Sequence, residues 1–253
     1  MTNAKSLNDR AALVTGASRG IGAAIAKELA AEGANVVLVG RDRNALDGIA
    51  SEITKSGGKA EVFACDIISQ DEVHALAEYV HQRFRQLYIL VNNAGLGSFS
   101  TPLSEMTPEQ FDRIIHTNLR AVYYTIREFA PGMMAAQAGH IINISSIASK
   151  NALRNGAAYA ASKWGLNGLS VSVAEELRDY GVRVSIICPG STETNLSPNE
   201  GKRTDRMLQP DDIAHVVRTL VTQTSQSFIS EVVIRPTRKP GARNAFSLRG
   251  EAR

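Results

Sequence analysis

The sequence contains only two cysteines among 253 residues, and it has no long apolar run. Cys65 and Cys188 each lie inside a short apolar stretch, so we expect buried thiols in a reducing compartment and neither a disulfide nor a metal site. No segment approaches the roughly 18 uncharged apolar residues of a membrane span. The polar N-terminus MTNAKSLNDR also lacks the apolar core of a signal peptide. These absences predict a cytoplasmic protein without a membrane anchor.

A strong charge of one sign is also missing from most of the chain. The 28 basic and 25 acidic residues leave a net charge of +3, and the last 19 residues hold six of the basic residues against one acid. The rest of the chain is therefore slightly acidic, which argues against a surface that neutralises nucleic-acid phosphates. At 43% hydrophobic and 21% charged residues, the composition is that of a globular protein with a large core.

Short β-branched runs alternate with longer segments of helical apolar spacing along the chain. This alternation is typical of a parallel sheet covered by helices on both faces. We therefore predict an α/β fold with one domain at residues 1–237, a Rossmann-like doubly wound sheet of seven mainly parallel strands. A basic tail at residues 238–253 follows. Its last ten residues are expected to be disordered, and a contact with a neighbouring subunit is the other interpretation. The strands are predicted at Ala11–Thr15, Asn35–Val39, Ala60–Cys65, Tyr88–Val91, His140–Ser145, Arg183–Ile187 and Phe228–Arg235.

Helix start signals and gaps in periodicity place the remaining segments. A Thr-Pro pair opens the stretch Thr107–Gln137, which is long enough for two helices. Pro210 opens the last helix in the same way, and a further helix is predicted from about Ala157 to Tyr180. The polar segment Asn195–Gln209 has no clear periodicity and would lie at the carboxyl ends of the strands, so we interpret it as a lid over a ligand.

A glycine-rich turn, TGASRGIG at residues 15–22, joins the first strand to an alanine-rich helical segment. Gly16 permits the tight turn, and Gly20 and Gly22 allow close approach of a ligand and of the sheet. The amides and dipole at the start of the following helix suit a pyrophosphate. A tight connection without any ligand has the same pattern, so the turn alone does not decide the function.

The residues that follow the second strand favour NADP(H) over NAD(H). NAD would call for a carboxylate that binds the ribose diol there, but the position is Gly40, followed by Arg41. Arg41 and Arg19 of the glycine turn supply two guanidiniums that suit a 2′-phosphate. Either arginine alone is equally typical of a solvated surface charge, and Asp42 could rotate toward the ribose and weaken the preference.

Tyr159 and Lys163, in the run YAASK, stand four residues apart on one face of a predicted helix. A nearby ammonium stabilises a phenolate, so the pair predicts a tyrosine whose pKa is lowered from about 10 toward neutrality. A surface pair has the same spacing and is the other interpretation. No metal is expected, because the five histidines show no ligand spacing.

Five motifs stand in a fixed order along the chain. They are TGASRGIG, the run Asn92-Asn93-Ala94-Gly95 after the fourth strand, Ser146 thirteen residues before Tyr159, the Tyr159/Lys163 pair, and Pro189-Gly190 after the sixth strand. In this order and spacing they resemble the short-chain dehydrogenase/reductase family, over nearly the whole chain from Ala11 to about Arg235. The domain at 1–237 is accordingly similar to the NADP-binding domain of that family.

The resemblance implies a catalytic set of four residues. Ser146 would hydrogen-bond the substrate oxygen, Tyr159 would transfer the proton, and Lys163 would lower the tyrosine pKa and hold the nicotinamide ribose. Asn118 matches the family asparagine that supports a water-linked proton path to the lysine, and a helix cap is the other interpretation. Hydride transfer to a carbonyl needs a donor for the oxygen, a proton source and a fixed cofactor, and such a set fits that chemistry.

The resemblance also implies a cofactor site spread over several loops. Asp66, next to Ile67, matches the residue that hydrogen-bonds adenine, and Thr192 and Thr194 match positions that bind the carboxamide and the phosphates. The predicted NADP(H)-binding residues are Gly16, Ser18, Arg19, Gly20, Ile21, Gly22, Arg41, Asp66, Ile67, Asn92, Ala94, Gly95, Tyr159, Lys163, Pro189, Gly190, Thr192 and Thr194.

Within the family the pattern is most similar to 3-oxoacyl-acyl-carrier-protein reductases and related carbonyl reductases. Carrier-protein reductases typically have arginines where this chain has Gln137 and Tyr180, which favours a small ketone, aldehyde or oxo-ester substrate. We predict an NADPH-dependent oxidoreductase that interconverts a carbonyl and a secondary alcohol. The alternatives are 3-oxoacyl-carrier-protein reduction and, in another class, a non-catalytic NADP(H)-binding regulator. The family also implies a homotetramer joined by the helices that begin near Asn118 and Ala157.

Overall fold

A computed structural model of the chain describes residues 6–194, 196, 203–224 and 226–241. Its centre is one sheet in the strand order β3-β2-β1-β4-β5-β6-β7, and every neighbouring pair is parallel. The predicted α/β fold with a doubly wound sheet is confirmed. The strands are β1 (Ala11–Thr15), β2 (Asn35–Gly40), β3 (Lys59–Ala64), β4 (Leu87–Asn92), β5 (Gly139–Ile144), β6 (Val182–Pro189) and β7 (Glu231–Ile234).

Helices cover both faces of this sheet and create two apolar cores. Leu29, Leu46 and Leu220, from α1, α2 and α7, lie in one core, and α3, α5 and α6 contribute to the other. Because both faces are covered, central strands such as β1 are buried at every residue, and β1 is apolar except for Thr15 at its end. The helices are α1 (Gly20–Ala31), α2 (Arg43–Lys55), α3 (Gln70–Arg83), α4 (Pro108–Ile115), α5 (Ala121–Ala135), α6 (Ala157–Arg178) and α7 (Pro210–Val221).

The order of strand addition reverses between β1 and β4. The chain first adds β2 and β3 on one side of β1, and it then returns to add β4 to β7 on the other side. A crevice forms outside the carboxyl ends of the strands at such a reversal, and ligands of doubly wound sheets bind there. The glycine turn after β1 and the loop after β4 both open at this edge.

The largest difference from the predicted strands concerns β7, which is shorter than Phe228–Arg235. Its pairing with β6 begins at Glu231 and ends where Ile234 lies opposite Pro189. Ile229 is outside the strand because its N–H bonds to the side chain of Gln223. β1 has the predicted bounds, and the remaining strands differ from prediction by one or two residues at one or both ends, where local sequence sets boundaries weakly.

The stretch Thr107–Gln137 contains two helices, as predicted, but no break separates them. Thr107 caps α4 in a reciprocal capping box with Gln110, which confirms the predicted start. A π-helical turn, His116–Arg120, then joins α4 directly to α5. Such turns widen a helix locally and are frequent at functional sites.

The predicted lid and the predicted tail are described only in part. Residues 195 and 197–202 of the lid, and residues 242–253 of the tail, lie outside the described residues, so the expected disorder of the last ten residues stays a prediction. The described end of the lid forms a short 3₁₀ turn, Thr204–Arg206, and the Arg203 N–H bonds to the Pro240 carbonyl at 3.1 Å. Within the described ranges, no helix is long and apolar enough to cross a membrane.

Candidate active site

The glycine turn after β1 is packed tightly against the loop after β4. Gly16 has a φ of +66°, and a Cβ there would lie 2.9 Å from the Cα of Ala94. A Cβ at Gly22 would overlap the Gly16 carbonyl. Asn93 fastens the two loops, because its Nδ2 donates to the Thr15 carbonyl at 2.9 Å and to the Gly16 carbonyl at 3.3 Å. Side chains larger than hydrogen are therefore excluded at both glycines.

The N-terminus of α1 lies at this turn without a side-chain cap. The N-cap residue is Arg19, whose side chain makes no capping hydrogen bond and is exposed. The turn Gly16–Gly22 thus presents first-turn amides and the positive end of the helix dipole to the crevice, which suits a phosphate group. Ser18 and Ile21 lie in the same turn.

Arg19 and Arg41 are both available to an anion at this end of the sheet. In the part of the chain that the structure describes, no carboxylate lies within ion-pair distance of either guanidinium. Asp42 does not turn toward the crevice, because it caps α2 and its Oδ1 accepts the Ala45 N–H at 3.1 Å. These residues fit a nucleotide that carries a 2′-phosphate better than one with a free diol.

Asp66 and Asn92, two of the predicted NADP(H)-binding residues, differ in what their side chains contact. Asp66 follows β3, with its backbone N–H bonded to Glu72 and its Oδ1 accepting the Ile68 N–H at 3.3 Å. Ile67 lies beside it and is buried. Asn92 does not offer its side chain to the crevice, because its amide is bonded to Thr125 and Asn143 inside the core.

The segment after β6 closes the crevice from the other side. Pro189 ends the strand, and the Gly190 N–H bonds to the Ile234 carbonyl at 2.7 Å. Thr192 is buried and pairs with Leu208 of the lid. Thr194 reaches the glycine turn, since a Cβ at Gly20 would lie 3.6 Å from its Cγ2. The structure therefore brings the predicted phosphate positions of both loops together.

Tyr159 and Lys163 lie on one face of α6, next to the end of β5. Both side chains are buried, at 4% exposure each, and the Lys163 Nζ lies 5.9 Å from the centre of the Tyr159 ring. Lys163 donates to the Ile144 carbonyl at 2.8 Å. Ser146 starts the 3₁₀ turn Ile147–Ser149, and its Oγ accepts the Ala148 N–H at 3.1 Å. Three of the four predicted catalytic residues thus meet at one point.

The electrostatics of this pair differ from the prediction. Burial raises the pKa of Tyr159 above its usual value, while a hydrogen bond from Ser146 lowers it. Burial also lowers the pKa of Lys163 to about 8. The predicted net lowering of the tyrosine pKa by the ammonium is wrong for this arrangement, because Lys163 is directed at the Ile144 carbonyl and desolvation outweighs the other effects.

Asn118 lies in the π-helical turn and is not a helix cap. Its Oδ1 accepts the Leu96 N–H at 2.7 Å, and its Nδ2 donates to the Leu96 carbonyl at 2.9 Å and to the Ser162 Oγ at 3.0 Å. A Cβ at Gly95 would lie 3.2 Å from the Asn118 Oδ1 and 3.8 Å from the Lys163 Nζ. Asn118 therefore ties the loop after β4 to α6 beside the lysine.

Comparison with known proteins agrees with this geometry. A family profile described as short chain dehydrogenase matches residues 10–205. The chain belongs to the short-chain dehydrogenase family. An uncharacterized oxidoreductase of Staphylococcus saprophyticus is 37% identical to this short-chain dehydrogenase over 231 residues, which cover 91% of this chain and 98% of the relative.

Two solved structures resemble this short-chain dehydrogenase over most of its length. A metagenomic short-chain oxidoreductase in complex with NADP is 52% identical, with a TM-score of 0.84, and the match covers 92% of this chain and 100% of that one. An alcohol dehydrogenase from the archaeon Thermococcus sibiricus, complexed with 5-hydroxy-NADP, is 30% identical with a TM-score of 0.83, covering 91% and 97%.

Sequence reasoning missed two residues of this site. Asn93, which fastens the glycine turn, was visible as the second asparagine of the Asn92–Gly95 motif but had no assigned role. Phe99 packs edge-on against Tyr159 with ring centres 5.0 Å apart, and no local pattern marks it. Its contact depends on the path of the loop after β4, which the sequence does not specify.

Proposed function

We propose that this short-chain dehydrogenase is an NADPH-dependent reductase that interconverts a carbonyl and a secondary alcohol. The observation that carries the proposal is that Ser146, Tyr159 and Lys163 lie together beside Gly95, in the loop after β4 that packs against the glycine turn. The two similar structures support NADP as the cofactor, since both are described as complexes with NADP or 5-hydroxy-NADP. Bound there, the cofactor would supply or accept the hydride.

The chain offers residues for each part of that cofactor. The turn Gly16–Gly22 and Thr194 would hold the phosphates, and Arg19 and Arg41 would bind the 2′-phosphate. Asp66, Ile67, Ala94, Gly95 and the backbone of Asn92 are assigned to the adenosine side, and Lys163, Pro189, Gly190 and Thr192 are assigned to the nicotinamide side.

The proton chemistry follows from the side chains around Tyr159. A phenol whose pKa is raised by burial stays protonated near neutral pH and is a proton donor, which is the role that carbonyl reduction requires. Ser146 accepts the Ala148 N–H, and its one hydroxyl proton, which is directed at Tyr159 here, would turn to the substrate oxygen when a substrate lies between the two side chains. Lys163 and Asn118 would keep the neighbouring loop and strand in place.

The walls near Tyr159 favour an apolar substrate. The Phe99 ring lies against Tyr159, and the Leu153 side chain packs beside Gly156, three residues before Tyr159 in the chain. Together with the absence of arginine at Gln137 and Tyr180, this favours a small ketone, aldehyde or oxo-ester over an acyl carrier protein.

We also propose that the enzyme is a cytoplasmic homotetramer. Tyr123 on α5 and Trp164 and Val171 on α6 are 45%, 56% and 54% exposed, which is unusual for large apolar side chains. Packing α5 and α6 between subunits would cover them. Both thiols, Cys65 and Cys188, are free and buried, which suits a reducing compartment.

Initial rates of NADPH oxidation over a panel of ketones, aldehydes and acyl-thioesters test this function. We expect turnover with NADPH, weak rates with NADH, and a loss of at least about 100-fold in Tyr159→Phe. Tyr180→Phe, which changes an exposed tyrosine far from the catalytic turn, is the control and should keep full activity. NADPH binding without any turnover would favour the regulatory alternative, and equal rates with NADH would refute the roles of Arg19 and Arg41.

A further inference from the structure

α6 presents a third buried polar residue in line with Tyr159 and Lys163. Asn167 follows Lys163 by four residues, so the three side chains lie in one row along the helix. Asn167 is 8% exposed, and it has no part in the function proposed above. A buried amide at this position needs partners, because leaving its donor and acceptor unpaired is costly.

The partners of Asn167 lie on both sides of Ser146 in the chain. The Ser145 Oγ donates to the Asn167 Oδ1 at 2.6 Å, and the Asn167 Nδ2 donates to the Ser149 Oγ at 2.9 Å. Ser149 in turn donates to the Ser146 carbonyl at 2.6 Å. Cys188 adds a weak contact, with its Sγ 3.8 Å from the Asn167 Nδ2. One side chain of α6 therefore hydrogen-bonds to the turn that carries Ser146 on both sides of that serine.

This turn has little strength of its own. It is a three-residue 3₁₀ segment, Ile147–Ser149, which Ser146 begins in an extended conformation with a φ of −168°. Short 3₁₀ turns have poor hydrogen-bond geometry, so tertiary contacts decide where their side chains point. The Ser146 hydroxyl donates a hydrogen bond to Tyr159, the residue that would transfer the proton. A small movement of the turn would therefore weaken this hydrogen bond and change the pKa of Tyr159.

We propose that Asn167 is a positioning residue that fixes the Ser146 hydroxyl against Tyr159 through Ser145 and Ser149. The inference rests on the proposed function, since it assigns Asn167 a share in the same proton transfer. A merely structural role, in which Asn167 only satisfies two buried hydroxyls, predicts a loss of stability and nothing more.

Asn167→Leu tests the proposal, because leucine keeps the volume of the side chain and removes its hydrogen bonds. We expect kcat to fall about 10- to 100-fold, as for a small misplacement of a reacting group, while KM for NADPH changes less than about twofold. In alcohol oxidation, the limb of the pH profile governed by Tyr159 should move to higher pH, because the hydrogen bond from Ser146 that lowers the tyrosine pKa is weakened.

Ser149→Ala provides a second, smaller change if the leucine variant folds poorly. It removes the link to the Ser146 carbonyl and should give the same shift of the pH profile with a smaller loss of kcat. Because both variants act through one chain of hydrogen bonds, the double variant should be no slower than Asn167→Leu alone. Independent, multiplying effects of the two changes would contradict the proposal.

Ser170→Ala is the matched control on the same helix. Ser170 is 1% exposed, and it hydrogen-bonds to Asn143 of β5 and to the Leu166 carbonyl. It makes no hydrogen bond to residues 145–149, the turn that carries Ser146. Its loss should lower stability and leave kcat and the pH profile unchanged. An Asn167→Leu variant that behaves in this way would overturn the proposal.

Amide hydrogen exchange separates a failure of this inference from a failure of the proposed function. Asn167→Leu should speed exchange of the amides in residues 145–150 at least about tenfold, and Ser170→Ala should not. Wild-type enzyme that is inactive on every substrate refutes the proposed function, and the exchange data then decide alone whether Asn167 holds the turn. Unchanged exchange refutes the inference whether or not the enzyme is active.

Discussion

Lys163 should destabilise the fold that it serves, and replacing it with methionine tests this directly. Burial lowers its pKa from 10.5 to about 8, so an ammonium that is charged at pH 7 is held in an environment that disfavours the charge. This lowering corresponds to about 3 kcal/mol of unfolding free energy at pH 7. Methionine of similar length removes that cost, but it leaves the Ile144 carbonyl without its donor, at a cost of about 1 to 2 kcal/mol.

Lys163→Met should therefore be more stable than the wild type by about 1 to 2 kcal/mol at pH 7, and inactive. The unfolded chain binds more protons than the folded chain between pH 8 and pH 10.5, so the stability of the wild type should rise with pH through this window. The difference in unfolding free energy between Lys163→Met and the wild type should then decrease by roughly 2 kcal/mol as the pH rises from 7, and the wild type should be the more stable protein near pH 10.

Urea unfolding followed by circular dichroism at pH 7, 8, 9 and 10 measures the difference, at fixed protein concentration because subunit association also stabilises. Lys150→Met is the control, since Lys150 is partly exposed and pairs with Glu231 at 2.8 Å. Lys150→Met should lower the free energy of unfolding by at most about 1 kcal/mol, and the variant should not change from more stable to less stable than the wild type as the pH rises. A difference between Lys163→Met and the wild type that stays constant with pH would refute the reasoning.

Three further predictions concern the cofactor, acid stability and assembly. Replacing both Arg19 and Arg41 with serine should raise KM for NADPH about 10- to 100-fold and leave KM for NADH nearly unchanged in initial-rate assays. Burial and the Arg183 guanidinium lower the pKa of His140 from 6.5 to about 3, so the unfolded state binds more protons between these two pH values and the stability decreases as the pH is lowered through them. Between pH 7 and pH 5 the wild type should lose about 2 kcal/mol relative to His140→Gln in urea unfolding, and an equal loss in both proteins would argue against this role. Trp164→Glu should shift the species seen by light scattering from tetramer to smaller forms without changing the far-ultraviolet spectrum, and an unchanged mass would place the subunit contacts elsewhere.

Local sequence was sufficient for the elements that depend on neighbouring residues. The glycine turn, the capping box at Thr107 and the four-residue spacing of Tyr159 and Lys163 are each set within a few positions of the chain. The alternation of strands and helices likewise indicated a sheet covered on both faces. Continuous apolar runs predict strands that are buried on both sides, and apolar residues at helical spacing predict helices that pack against them.

The roles of several polar residues depended on contacts between distant parts of the chain. Asn92 was expected beside the cofactor, but its amide bonds to Asn143, 51 residues away, inside the core. The Asn118 amide hydrogen-bonds to both backbone groups of Leu96, 22 residues away. No local pattern shows whether an asparagine at this position makes such a contact or caps a helix. The sequence left open whether the Asp42 carboxylate turns toward the cofactor ribose. The structure shows that it caps α2 instead.

The sequence by itself determined the chemical groups and their order along the chain, and the tertiary structure decided their environments. Spacing placed the Tyr159 phenol and the Lys163 ammonium on one side of a helix, but it also suggested a lowered tyrosine pKa. Folding buries both groups and directs the ammonium at the Ile144 carbonyl, and desolvation then raises the tyrosine pKa and lowers that of the lysine. Spacing is a property of adjacent residues, whereas desolvation depends on everything packed around a group, so only the fold determines it.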